Sequence, residues 1–132
     1  MKNKFILIVL FSIFFNTTIV SAQQLTTPDV IDVTQAQKMV NEGTLLLDVR
    51  EQDEYDAVHV PHSKLIPLEQ LRTRTPEIAD FKDKPIVVIC HSGHRSQLAV
   101  LQLKEMGYTH ASSISGGVVE WEKSGLKVVK DK

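Results

Sequence analysis

The sequence contains one cysteine, Cys90, among its 132 residues, so no disulfide can form within the chain. It also lacks a run of basic residues, and its formal net charge is only −1. A mildly acidic chain without a basic run is a poor candidate for binding nucleic acid or an anionic membrane surface. An anionic ligand would therefore need a local positive site, because the overall field of the protein does not attract it.

The apolar segment of residues 5–15 is too short to span a bilayer, which takes roughly 20 apolar residues. Lys2 and Lys4 precede this segment, and Val20-Ser21-Ala22 brings small side chains soon after it. A basic start, a short apolar core and a small-residue exit are typical of a secretory signal peptide. We therefore expect residues 1–22 to be a signal peptide cleaved after Ala22, with an uncleaved membrane tether as the alternative.

After cleavage, residues 23–132 would form an exported, periplasmic protein without membrane contact. Residues 23–29 are polar and include Pro28, a composition typical of a tether. Residues 30–132 are enough for one hydrophobic core, so we expect a single domain. A lone cysteine in an exported protein either pairs with another molecule or remains a reactive thiol.

Apolar strand patterns alternate with helical patterns along this domain. The clearest strand covers residues 85–89, and residues 45–49 are a second apolar run of the kind buried on both faces of a parallel sheet. Shorter strands are predicted at 30–33, 64–67 and 111–114. Helices are predicted from an N-cap at Thr34 to Gly43, within 68–81, from the end of the loop after Cys90 to Gly107, and from Gly117 to about Gly125. Residues 51–58 are predicted to form a short helix or a turn. The alternation predicts an α/β fold with a parallel sheet of about five strands and helices on both faces.

The neighbours of Cys90 suggest that its thiol is reactive. It follows the strand predicted at 85–89, and ligands of open α/β folds bind at the carboxyl edge of the sheet. Gly93 allows a tight turn whose backbone N–H groups can form an anion cradle, reinforced by the positive end of the next helix. Arg95 adds a guanidinium fork suited to an oxyanion. These features favour the thiolate, so we interpret Cys90 as a nucleophile rather than a small core residue.

Four segments resemble, in order, the motifs of the single-domain rhodanese family. They are Leu46-Leu47-Asp48-Val49-Arg50-Glu51 with Glu54-Tyr55, then His59-Val60-Pro61 with Ile66-Pro67-Leu68, then the loop Cys90-His91-Ser92-Gly93-His94-Arg95, and finally Gly107-Tyr108 through Ser115-Gly116-Gly117, Trp121 and Gly125-Leu126. The resemblance covers most of the chain and is greatest to small periplasmic members with a signal peptide and one domain. Val58 and His62 depart from it, because they replace glycines that are usual around the second motif.

The resemblance implies a sulfurtransferase that needs no cofactor. Cys90 would attack the outer sulfur of a small anion such as thiosulfate and become a persulfide. A thiophilic acceptor, such as cyanide or the thiol of a partner protein, would then remove the sulfur. A ring of N–H donors could hold the anionic terminal sulfur. The substrate-binding residues would be His91, Ser92, Gly93, His94 and Arg95.

Three further polar residues are candidates for supporting roles: Asp48, Arg50 and Ser96. Asp48 ends a buried strand, where an unpaired carboxylate is costly. It either orients Arg95 or the active loop, or it is an ordinary hydrogen-bonded strand-end aspartate. Arg50 either faces the anion or, by the more ordinary pattern, pairs with Glu54 four residues later.

Several histidines raise the alternative of a thiolate–imidazole metal site around Cys90. The candidates are His59, His62, His91 and His94. Adjacent Cys90 and His91 cannot easily chelate one ion together, and a bound metal would block the nucleophile. We therefore expect no metal at this site.

Two other functions are open to the same loop. A cysteine-based phosphatase or arsenate reductase also binds an oxyanion in such a cradle, but it generally places five residues between cysteine and arginine, whereas four separate Cys90 from Arg95 here. The smaller ring is better suited to a sulfur atom than to a tetrahedral phosphate. The second alternative is a sulfur-carrier or partner-binding module without significant turnover.

Overall fold

The computed structural model of the chain describes residues 28–132. The predicted signal peptide lies outside these residues, as does most of the predicted tether. No helix within 28–132 combines the length and hydropathy needed to cross a bilayer.

The described residues form two sheets. Their strands are β1 (Val30–Ile31), β2 (Leu45–Asp48), β3 (Val58–His59), β4 (Lys64–Leu65), β5 (Ile86–Ile89), β6 (Ala111–Ile114) and β7 (Val129–Lys130). Five of them form a parallel sheet in the order β1-β6-β5-β2-β4, and β3 pairs antiparallel with β7. The predicted α/β fold with a parallel sheet of about five strands is confirmed.

Helices connect the strands of the parallel sheet. They are α1 (Val33–Asn41), α2 (Gln52–Ala57), α3 (Leu71–Arg74), α4 (His94–Glu105) and α5 (Gly117–Lys123), with short 3-10 segments at Leu68–Gln70 and Thr75–Phe81. These positions agree closely with the helices predicted from the sequence pattern.

The core lies on both faces of the sheet, and β5 contributes to each. Ile86 and Val88 pack in one cluster with α4, where Leu103 is fully buried. Val87 and Ile89 pack in the other cluster with α1 and α5, including Trp121. Because successive side chains of a strand point to opposite faces, a central strand covered on both sides must be apolar throughout. The predicted helices on both faces are therefore confirmed.

The start of α1 differs from the prediction. Asp32, not Thr34, is the N-cap, and its side chain accepts a hydrogen bond of 2.8 Å from the backbone N–H of Gln35. Aspartate caps a helix at least as well as threonine, and the earlier start lets Val33 be buried in the core. The predicted end near Gly43 is correct, since Glu42 is the C-cap and Gly43 has a φ of 96°.

The small antiparallel sheet was not predicted. It pairs Val58 with Lys130 and His59 with Val129, so residues assigned to a helix and a loop are extended instead. His62, which replaces a family glycine, has a φ of 64°. The loop after β3 therefore keeps a left-handed turn without glycine.

Candidate active site

Cys90 lies at the carboxyl end of β5, and its side chain is 1% exposed. Helix α4 begins at His94, earlier than the predicted loop implied, so the connection between strand and helix is only residues 91–93. Gly93 is the N-cap of α4 and has a φ of 108°, which a residue with a side chain rarely adopts. This tight turn brings the first turn of α4 next to the thiol.

The sulfur of Cys90 has two polar neighbours. The backbone N of Gly93 is 3.1 Å from Sγ, which places its N–H as a donor to the sulfur. The hydroxyl of Ser96, in the first turn of α4 and fully buried, lies 3.4 Å from Sγ. Among the described residues, the hydrogen-bond partners of this sulfur are thus one main-chain donor and one hydroxyl.

The amino end of α5 holds the other side of the loop. The N–H of Val118 donates to the carbonyl of Cys90 at 2.9 Å, and the N–H of Val119 donates to the carbonyl of His91 at 3.2 Å. In a trans peptide group the C=O and N–H point in opposite directions. Because the carbonyls of Cys90 and His91 point to α5, the N–H groups of His91 and Ser92 point away from it. The loop is therefore fixed from outside by helix α5.

Gly117 makes this close approach feasible. A Cβ at this position would lie 2.3 Å from the carbonyl oxygen of Cys90, and its φ is 58°. The sequence pattern identified Gly116-Gly117 as part of a family motif but gave it no role at the site. Two adjacent glycines directly before a helix were the available signal.

The guanidinium of Arg95 binds a carboxylate of the protein. Its Nη1 and Nη2 donate to the two carboxylate oxygens of Glu54, each at 2.7 Å, and both side chains are about one-third exposed. The hydrogen bond from Arg95 lowers the pKa of Glu54 to about 2, and Glu54 in turn raises the pKa of Arg95. The fork predicted to bind an oxyanion is therefore engaged by Glu54, which sequence analysis had matched with Arg50 instead.

Asp48 and Arg50 form a buried pair of their own. Nη2 of Arg50 lies 2.7 Å from Oδ2 of Asp48, and Nε lies 3.0 Å from Oδ1. Arg50 also donates to the backbone carbonyls of Glu54 and Val58. The interpretation of Asp48 as a group that orients Arg95 is wrong, and so is a carboxylate pairing of Arg50 with Glu54. Residues two apart at a strand end lie on the same side, which favours the observed pair.

A second hydroxyl is hydrogen-bonded to that of Ser96. The Oγ of Ser113, on β6 and fully buried, is 2.7 Å from the Oγ of Ser96. The Oγ of Ser96 also lies 3.1 Å from the carbonyl of Gly93. Ser113 was not among the residues predicted for the site.

The remaining loop side chains are exposed: those of His91, Ser92 and His94. Within 28–132, no three or more His, Cys, Asp or Glu side chains are grouped so that they could hold a metal ion. The histidines considered above as metal ligands, His59 and His62 included, therefore do not form such a group with Cys90.

Comparison with known proteins identifies the family. Residues 32–124 match the model of the rhodanese-like domain. The chain belongs to the rhodanese-like family. A rhodanese-related protein from Thermoplasma volcanium has the same fold, with a TM-score of 0.70 and 29% identity over 78% of this chain and 99% of that one.

Two curated relatives of this rhodanese-like chain carry sulfurtransferase names. The thiosulfate sulfurtransferase GlpE of Pseudomonas syringae pv. syringae is 34% identical, over 66% of this chain and 80% of the relative. The adenylyltransferase and sulfurtransferase uba4 of Ogataea parapolymorpha is 40% identical over 59% of this chain. This chain spans only 20% of uba4, so it corresponds to a part of that longer protein.

Proposed function

We propose that the protein is a sulfurtransferase that carries sulfane sulfur as a persulfide of Cys90. The observation that supports this most is the position of the thiol: it ends a buried strand, and the N–H of Gly93 points at its sulfur from 3.1 Å. The donor would be a small sulfur-containing anion such as thiosulfate. The acceptor would be thiophilic, such as cyanide, a low-molecular-weight thiol or the thiol of a partner protein.

The reaction would proceed in two balanced steps. The Cys90 thiolate attacks the outer sulfur of thiosulfate, the new S–S bond forms, and sulfite leaves with the electron pair of the broken S–S bond. Cyanide then attacks the outer sulfur of the persulfide, which releases thiocyanate and regenerates the thiolate. Neither step requires a metal or an organic cofactor.

The charge of the persulfide would be stabilised mainly by the backbone. Its terminal sulfur is anionic, and main-chain N–H groups fixed by a tight turn stabilise such a charge without reorganising. The amino end of α4 adds the positive end of a helix dipole. Arg95 contributes little net charge, because Glu54 already neutralises it.

Turnover assays distinguish this proposal from its rivals. With thiosulfate and cyanide, wild type should release thiocyanate over many cycles, Cys90→Ser should release none, and aryl phosphates should remain intact. Release of only one equivalent of thiocyanate would indicate a sulfur carrier. Clear phosphatase activity that disappears in Cys90→Ser would overturn the argument from the four-residue spacing between Cys90 and Arg95.

We also propose that the protein is exported to the periplasm after cleavage of residues 1–22. The support is the order of basic, apolar and small residues in that segment. Expression of the full chain in a Gram-negative host, followed by fractionation and intact mass measurement, tests this. A periplasmic protein that begins at residue 23 is expected, and a cytoplasmic protein of full mass would contradict it.

A further inference from the structure

The hydroxyl of Ser113 has no part in the chemistry described so far. Ser113 is fully buried on β6, and its side chain makes one recorded hydrogen bond within the described residues, to the hydroxyl of Ser96 at 2.7 Å. A buried hydroxyl is costly unless it is hydrogen-bonded, so the geometry of Ser113 is tied to Ser96. Ser96 in turn lies 3.4 Å from the sulfur of Cys90.

The number of available protons determines which hydroxyl donates. Each serine has one O–H proton. The Oγ of Ser96 has two possible acceptors besides Ser113, namely the carbonyl of Gly93 at 3.1 Å and the sulfur of Cys90. If Ser96 donates to either of them, it has no proton left for Ser113. Ser113 must then be the donor in their shared hydrogen bond.

Ionisation of Cys90 changes the direction of only one of these bonds. The thiol can donate to Ser96 while Ser96 donates to the carbonyl of Gly93. A thiolate has no proton to donate, so its charge is stabilised most when the Ser96 hydroxyl rotates and donates to the sulfur. In both states Ser113 donates to Ser96, and this bond polarises the Ser96 hydroxyl towards its acceptor.

We infer that Ser113 is a positioning residue that favours the Cys90 thiolate through Ser96. The side chains of Ser113, Ser96 and Cys90 form a buried hydrogen-bonded chain, and the N–H of Gly93 is a separate donor to the same sulfur. This inference deepens the proposed function, since it concerns the same thiolate. It is tested without any sulfur donor, because the ionisation of the thiol can be followed directly.

The single cysteine makes this measurement specific. Because Cys90 is the only cysteine, alkylation of a thiol by iodoacetamide reports on Cys90 alone. Thiolate absorbance in the ultraviolet reports on it below the range near pH 10 in which tyrosine side chains ionise. In Ser113→Ala, the midpoint of the thiolate titration should move to higher pH. Alkylation at about pH 6.5 should slow about threefold to tenfold, because hydrogen bonds to a charged group are stronger than neutral ones. At a pH above both titration midpoints the alkylation rates should agree within about a factor of two, because the thiolate is the nucleophile in both proteins.

Variants at neighbouring positions separate this role from packing. Ser112→Ala alters the adjacent, half-buried residue of β6 and should titrate like wild type. Ser113→Thr keeps a hydroxyl and should also keep the wild-type midpoint. An equal shift in Ser113→Thr and Ser113→Ala would mean that packing, not the hydroxyl, sets the thiolate, and would overturn the inference.

A double-mutant cycle tests the path through Ser96. Ser96→Ala should slow alkylation at least as much as Ser113→Ala, and adding Ser113→Ala to Ser96→Ala should have no further effect. An unchanged titration in folded Ser113→Ala, or a full additional effect in the double variant, would contradict the chain. If these shifts occur but thiosulfate leaves no sulfur on wild-type Cys90, the proposed function fails while this inference stands.

Discussion

Strands β2 and β5 are neighbours and end at the same edge of the sheet, where Asp48 and Cys90 differ in their hydrogen-bond partners. Asp48, opposite Ile89 in the register, is bound by Arg50, and that guanidinium also donates to two backbone carbonyls. Within residues 28–132, the sulfur of Cys90, one residue beyond Ile89, has two hydrogen-bond partners, one N–H and one hydroxyl. Both ends are buried, so burial alone does not identify the reactive one. The difference is that Asp48 has a charged partner, whereas neither hydrogen-bond partner of the Cys90 sulfur within the described residues carries a charge.

The largest effect on stability is expected from Arg50→Met at the β2 end. This change leaves the carboxylate of Asp48 buried without its cation, and breaking a buried ion pair costs about 3–5 kcal/mol. Urea denaturation measures the loss. The double variant Asp48→Leu, Arg50→Met removes both charges and should recover a large part of it. A single-variant loss below about 1 kcal/mol would mean that the pair does not stabilise the fold.

Gly117→Ala, on α5 beside the carbonyl of Cys90, should mainly reduce the rate of thiocyanate formation. The added Cβ would meet the carbonyl of Cys90 at 2.3 Å, so the loop or α5 must move. A displacement of about 1 Å at a catalytic group can cost about 100-fold in rate, and we expect a loss of that order in thiocyanate formation.

Gly125→Ala is the matched control for Gly117→Ala. Gly125 also has a positive φ, 75°, but a Cβ there would have no neighbour within 4 Å. It should cost about 1–2 kcal/mol of stability through backbone strain and leave turnover unchanged. Equal losses of activity in both variants would show that strain, not contact with the active loop, explains the effect.

Glu54→Gln tests the ion pair between Glu54, on α2, and Arg95. The hydrogen bond from Arg95 lowers the pKa of Glu54 from 4.5 to about 2. A lowered pKa means that the carboxylate stabilises the fold above about pH 4.5, and that this contribution is lost as the pH falls towards 2. Wild type should therefore melt at a higher temperature than Glu54→Gln at neutral pH, and the difference should shrink on acidification.

Glu77→Gln provides the control for Glu54→Gln. Glu77 also has a pKa lowered to about 2, by hydrogen bonds from Arg74 and Lys64, but it is exposed and neither partner belongs to the active loop. For both variants, the difference in melting temperature from wild type should be largest at neutral pH and should shrink on acidification. Only Glu54→Gln should alter the kinetics of the donor half-reaction. Unchanged donor kinetics in Glu54→Gln would mean that the Arg95 pair does not influence the site.

The smallest effect is expected from the exposed histidines of the loop. Both side chains are exposed, and the donor to the sulfur is the backbone N–H of Gly93. The double variant His91→Ala, His94→Ala should therefore retain persulfide formation from thiosulfate, because the backbone donors remain. Complete loss of persulfide formation in the folded double variant would instead make a histidine essential.

The apolar patterns allowed the sheet and the position of Cys90 to be predicted, because a strand buried on both faces has few alternatives. Charge pairing could not be predicted in the same way. Arg95 and Glu54 are 41 residues apart, and only the folded chain brings them together. Arg50 and Asp48 are two residues apart, and strand geometry alone would have favoured their pairing.

The residues missed at the site have simple physical reasons. Ser113 follows Ser112 on a four-residue strand, and a shift of one residue decides which of the two faces the thiol. The pairing of β3 with β7 covers only two residues on each strand, too few for an alternating pattern. Gly117 was visible as a glycine before a helix, but its contact with Cys90 depends on how α5 meets the loop.

Intact mass measurement after treatment with thiosulfate tests the central claim most directly. Because Cys90 is the only cysteine, the folded protein should gain one sulfur atom per chain, and cyanide should remove it. Cys90→Ser should show no change at either step. A folded wild-type protein that gains no sulfur, or an equal gain in Cys90→Ser, would contradict the assignment of Cys90 as the sulfur-carrying nucleophile.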